Sequence, residues 1–81
     1  MSIHVSEAEK RIEIESEENM KDKIIALIYK IIRKYGGDLD WEPKGKNIVI
    51  YYYAPNQKAL EKAREKLEKA YHKNKHSKIK L

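Results

Sequence analysis

Two hydrophobic periods divide this chain. Between residues 11 and 15 apolar and charged positions alternate as R-I-E-I-E, and residues 47–53 read N-I-V-I-Y-Y-Y, apolar on both parities. A period of two marks strands, and a strand apolar on both faces belongs in the middle of a sheet. Ile48, Ile50 and Tyr52 would point one way, Val49, Tyr51 and Tyr53 the other. From residue 24 the period lengthens. Ile24, Leu27, Ile28, Ile31 and Tyr35 form one helical stripe, which Ile25, Tyr29 and Ile32 widen to roughly 200° of arc. A second helix carries the narrower stripe Leu60, Leu67 and Tyr71, flanked by Ala59, Ala63 and Ala70. The wide stripe has two readings. It is buried by close packing against the alanine flank, or Ile25, Tyr29 and Ile32 form a partner or dimerisation surface.

Turn and cap residues set the expected boundaries. Helix one covers about 17–35, starting after Ser16 with Glu17 and Glu18 at its positive end and stopping at Gly36-Gly37. Helix two covers about 55–73, with Pro55 in its first turn and Asn74 as a stop. Glu42-Pro43-Lys44-Gly45 suits a type I turn closed by a glycine bulge, joining strand 38–42 to strand 46–53. The loop Ser6–Lys10, which lacks glycine, joins strand 3–5 to strand 11–15, and residues 76–81 read as a tail or short final strand. A shift of 36 residues lays Ile3-His4-Val5 on Leu39-Asp40-Trp41, Ile12 and Ile14 on Ile48 and Ile50, and Ile24 on Leu60. Each half then reads strand, turn, strand, helix.

Two hairpins each followed by a helix predict an α+β fold, a two-layer sandwich with an antiparallel sheet and both helices on one face. Right-handed crossovers leave strand 46–53 between strands 11–15 and 38–42. The order 3–5, 11–15, 47–53, 38–42 is a ferredoxin-like sheet in a ββαββα chain. The alternative is a βαββαβ ferredoxin-like order with Lys78–Leu81 on the edge. Both bury Ile12, Ile14, Leu39, Trp41, Ile48, Ile50, Tyr52, Ile24, Ile31, Leu60 and Leu67.

Composition narrows the function classes. The 81 residues suffice for one domain with a modest core. Without Cys there are no disulfides or thiolate metal sites. The apolar run Ile24–Ile32 is too short to span a bilayer, and no signal-peptide pattern opens the chain, so a soluble cytoplasmic protein is the default expectation. The net charge of +5 divides unevenly. Residues 1–42 hold seven Lys and Arg against ten Asp and Glu, whereas residues 43–81 hold eleven against three.

The basic half suggests an anionic partner. Lys58, Lys62, Lys66, Lys69 and Lys73 fall within about 80° on the outer side of helix two, so a nucleic-acid backbone could lie along them without sequence preference. Lysine is also the usual way to solvate a helix, and Glu65 with Lys69 makes an ordinary i,i+4 pair. Asp38 and Asp40 share one side of a strand, and His72 and His76 one side of a helix end, but neither pair carries a metal-ligand pattern. No nucleophile–base spacing or glycine-rich phosphate loop occurs, which argues for a non-enzyme with neither catalytic residues nor cofactor.

Two resemblances follow from these residues. Exposed aromatics on such a sheet resemble the RNA-recognition motif, where Lys44-Gly45, Val49 and Tyr51 fit the third-strand pattern, and this likeness implies base stacking. Lys46 and Ile48 stand at that family's two middle aromatic positions, strand Arg11–Ser16 has no aromatic, and nearby carboxylates repel phosphate. Solvated packing of Tyr51 and Tyr53 is the stronger account. The chain is also similar to computationally designed, idealised ferredoxin-like α+β domains. It has no Cys or Phe, and helix two reads E-K-A-R-E-K-L-E-K-A. That resemblance implies a stable scaffold without evolved activity or a required partner. Tyr51-Tyr52-Tyr53 departs from it, and the Ile, Lys, Glu and Tyr bias also occurs in thermophile proteins.

Overall fold

The computed structural model describes residues 1–71. Lys73, the expected end of helix two, His72, His76 and residues 76–81 lie outside the described residues. In chain order the elements are β1 (Ser2–Ser6), β2 (Arg11–Glu17), a 3-10 turn (Glu18–Met20), α1 (Lys21–Tyr35), β3 (Asp38–Lys44), β4 (Asn47–Tyr53) and α2 (Gln57–Tyr71). The four strands form one antiparallel sheet in the order β1-β2-β4-β3, the order read from the sequence. The edge that the alternative topology reserved for Lys78–Leu81 is occupied by β1, which pairs with β2 from Ser2↔Glu15 to Ser6↔Arg11.

One side of the sheet faces both helices. Ile12 pairs with Tyr52 and Ile14 with Ile50 across β2 and β4, so all four side chains point the same way. They are fully buried with Ile24, Ile28 and Ile31 of α1 and Leu60, Ala63 and Leu67 of α2. Burying each Ile or Leu contributes about 1.5–3 kcal/mol, which makes this patch the main source of stability. Helix α1 lies against β4 and β3, and α2 against β2 and α1.

Several expectations are corrected. Trp41, expected in the core, is 42% exposed. Its side chain lies on the helix side opposite Ile50, but β3 is the edge strand among the described residues, and none of these adds a strand over the outer half of the indole. Leu39 is only partly buried for the same reason. The turn is not at 42–45. Lys44 pairs with Asn47, leaving Gly45-Lys46 as a two-residue loop, and Gly45 at φ 62° supplies the positive dihedral that a type II′ turn needs first. Pro43 remains inside the strand, where an edge position makes its missing N–H harmless.

The helix starts shift as well. Ser16 is buried opposite Ile48 and prolongs β2, its hydroxyl donating to the Glu17 carbonyl at 3.1 Å, and α1 begins only at Lys21 with no side-chain cap. Helix α2 begins at Gln57. Asn56 caps it by accepting the Ala59 N–H at 2.9 Å, and Pro55 stays outside. On the wide stripe, Ile25 and Ile32 pack partly buried against the core, whereas Tyr29 is 51% exposed. Ala59 and Ala63 are buried but Ala70 is exposed, so the buried alanine flank reaches only as far as Ala63.

Helix α1 ends where the chain must turn back into β3. The Gly36 N–H donates to the Ile32 carbonyl at 2.7 Å, and the buried Tyr52 hydroxyl donates to the Gly36 carbonyl at 2.6 Å. Gly37 sits at φ 120°, and a Cβ there would lie 2.6 Å from the Tyr53 carbonyl oxygen and 2.7 Å from the Tyr52 ring. Urea denaturation should therefore show Tyr52→Phe losing about 1–3 kcal/mol, because the Gly36 carbonyl loses its partner under the helix. Gly37→Ala should cost about 3 kcal/mol or more through strain and overlap. Equal stability of both variants with the parent would refute this account of the helix end.

Candidate interaction surface

The sheet edge at β3 carries the most exposed chemistry. Among the described residues β3 pairs only with β4. The two-residue loop makes Lys44 and Asn47 a hydrogen-bonded pair, so Asp38, Asp40 and Glu42 turn their backbone groups toward β4 while Leu39, Trp41 and Pro43 turn theirs outward. Two devices limit that outer edge. The Trp41 N–H donates to the neighbouring Asp40 carboxylate at 2.8 Å, and Pro43 has no N–H to offer. Charge and proline on an edge oppose uncontrolled strand pairing.

Side chains along β3 alternate by face. Leu39 and Trp41 lie on the helix side, and Asp38, Asp40 and Glu42 on the open side. The Lys21 ammonium stands 4.1 Å from the centre of the Trp41 ring, close enough for a cation–π contact. Lys21, Ile32, Ile25 and Tyr29 fall within about 80° of one another on α1, so the flank bearing Lys21 faces the β3 edge. The structure thus brings the sequence-predicted set Ile25, Tyr29 and Ile32 to the same side of the molecule as Trp41. What the sequence reading missed was the length of β3, which runs past the expected 38–42 to Lys44. D-L-D-W-E-P alternates acidic and apolar for six residues, a signal obscured by assigning Pro43 to a turn.

The open sheet face is acidic and tied together by its own side chains. Tyr51 and Tyr53 stack with ring centres 6.2 Å apart. The Tyr51 hydroxyl donates to Glu42 at 2.6 Å, while Glu15 accepts from Lys44 and Asn47, each at 3.3 Å. Val49, in register between Glu15 and Glu42, is only 2% exposed, so these polar chains shelter an apolar centre. Hydrogen bonds from Asn47 and then Lys44 hold the Glu15 carboxyl below its usual range. The hydrogen bond to Glu42 pushes the Tyr51 phenol up to about 12.

Lys58 and Lys69 are exposed on α2, and Lys62 and Lys66 are partly covered. Glu61, Glu65 and Glu68 interleave with them, and Gln57 donates to both Glu7 and Glu61. These lysines belong to a different face from Trp41, since α2 lies against β2. Asp38 and Asp40 share the open face, but among the described residues no three His, Asp or Glu converge as a cation site. A shallow recess beside Glu15 is lined by Met1, Ser2, Ser16, Glu17 and Asn47 and opens widely to solvent. No described helix is long and apolar enough to cross a membrane.

Alkaline titration followed by tyrosinate absorbance tests the open face. Because the folded pKa of Tyr51 is raised, the stabilisation from its bond to Glu42 is present below pH about 10 and fades as pH climbs toward 12. Tyr51→Phe should delete the component near 12, and Glu42→Gln should move it down. A component that neither variant alters would break the assignment. No family model, curated protein or solved structure matches the chain.

Proposed function

We propose that the protein is a non-enzymatic, ferredoxin-like scaffold that acts by protein–protein interaction through the β3 edge and the adjoining flank of α1. The observation that carries this reading is Trp41, 42% exposed on a strand with one unpaired side among the described residues. Exposed aromatics are the side chains most often found as energetic anchors of interfaces. Tyr29 and the partly buried Ile25 and Ile32 extend the apolar surface from the same side.

The strand order and the two helices against one sheet support the ferredoxin-like description. A designed or redesigned origin is supported by the regular charge pattern of α2 and by the edge protection from Asp40 and Pro43. A pure scaffold of that kind has no ligand, which gives the interaction reading a definite competitor. Nucleic acid along Lys58, Lys62, Lys66 and Lys69 is the other.

Amide chemical-shift mapping separates the three. The labelled protein is followed through a concentration series, a mixture of strand-forming peptides, and single- and double-stranded oligonucleotides over several salt concentrations. Perturbation should centre on Leu39, Trp41 and the Tyr29 flank, and Ile25→Lys or Ile32→Lys should weaken it about tenfold. Salt-sensitive shifts confined to residues 58–69 with oligonucleotide would move the function to the lysines. A chain unperturbed by every ligand is a scaffold without a partner.

A further inference from the structure

Resting on the interaction reading, the geometry points to the kind of partner that β3 takes. We propose that it is an extended segment of another protein in which basic and apolar residues alternate, added as an antiparallel strand beside Leu39 and Trp41.

Three observations converge on this chemistry. First, the outward backbone groups of β3 belong to Leu39 and Trp41, and Pro43 ends the row of donors, so the edge accommodates a short strand. Second, the side chains that an added strand would meet are sorted by face. On the helix side they are Leu39 and Trp41, with the exposed Tyr29 on the adjoining flank of α1, and on the open side Asp38, Asp40 and Glu42. A strand of period two therefore sets its apolar residues beside the indole and its cations beside three carboxylates. Third, the Asp40 carboxylate occupies the Trp41 N–H at 2.8 Å. An incoming carbonyl needs that donor. A Lys or Arg on the partner attracts Asp40 away from it, so the same cation that satisfies the acidic face also frees the edge.

The acidity selects against one obvious competitor. A second copy of β3, paired antiparallel, would set Asp38, Asp40 and Glu42 against their own counterparts, and like charges directly opposite are destabilising. Residues 78–81, K-I-K-L, carry the basic–apolar alternation in this chain too. The protein alone is for that reason a required control.

The test compares synthetic peptides Lys-Ile-Lys-Ile-Lys, Glu-Ile-Glu-Ile-Glu and Ser-Ile-Ser-Ile-Ser, each capped at both ends, with the full chain. Trp41 fluorescence reads affinity, and hydrogen exchange of the Leu39 and Trp41 amides reads strand addition. The basic peptide should bind about tenfold or more tightly than the acidic one and slow both amides. Asp38→Lys with Asp40→Lys should reverse the preference. Asp40→Asn, which keeps a hydrogen-bond acceptor without the charge, should reduce the preference without reversing it. Equal protection of β3 by all three peptides overturns the basic partner while leaving the interaction surface in place. Basic-peptide binding that leaves both amides unprotected is adsorption to the acidic face and overturns strand addition. Silence of β3 toward every peptide removes the interaction reading as well. Self-association of the protein alone that Ile79→Asp abolishes would make a second copy the occupant and overturn a separate partner.

Discussion

Tyr52 ties the two layers together at the point where they have least freedom. Its ring is wholly buried on the central strand, between Ile12 of β2 and Leu39 of β3 in register, and its hydroxyl reaches the carbonyl that closes α1. A helix end buried without a partner for its carbonyls is costly. Here the strand supplies the donor, and Gly37 makes room for it by having no side chain. The position of α1 over β4 and β3 follows from this contact, and with it the flank that α1 presents beside Trp41.

The two faces of β4 serve different ends from one sequence. Ile48, Ile50 and Tyr52 build the core, while Tyr51 and Tyr53 lie over a polar network that leaves Val49 almost inaccessible. The open face is thus well packed for a solvated surface. Its carboxylates, held by Asn47, Lys44 and Tyr51, make it negative, whereas the outer sides of both helices are rich in lysine. Such a molecule presents itself differently to anionic and cationic partners. The β3 edge lies on the acidic side of that division.

Much of the fold was legible because each element repeats one period long enough to be unambiguous. R-I-E-I-E, the seven residues of β4 and the wide α1 stripe specify their elements from local pattern, and chain direction with short turns leaves few sheet orders to choose among. Boundaries were less legible. Ser16 and Pro43 each carry two meanings, cap or strand end and turn or edge strand, and only their neighbours decide between them. Ser16 faces Ile48 in the core, and Pro43 points its missing donor out of the sheet.

The sequence alone determined which residues are apolar on which parity, where glycine is needed, and that the chain divides into an acidic and a basic half. Tertiary structure decided what those patterns become at the surface. Trp41 sits at an apolar position equivalent in pattern to Ile50, yet one is exposed and the other buried. The difference is that, among the described residues, Ile50 has a strand on both sides and Trp41 on one. Burial depends on neighbours that arrive from distant parts of the chain, and periodicity along a single segment carries no record of them.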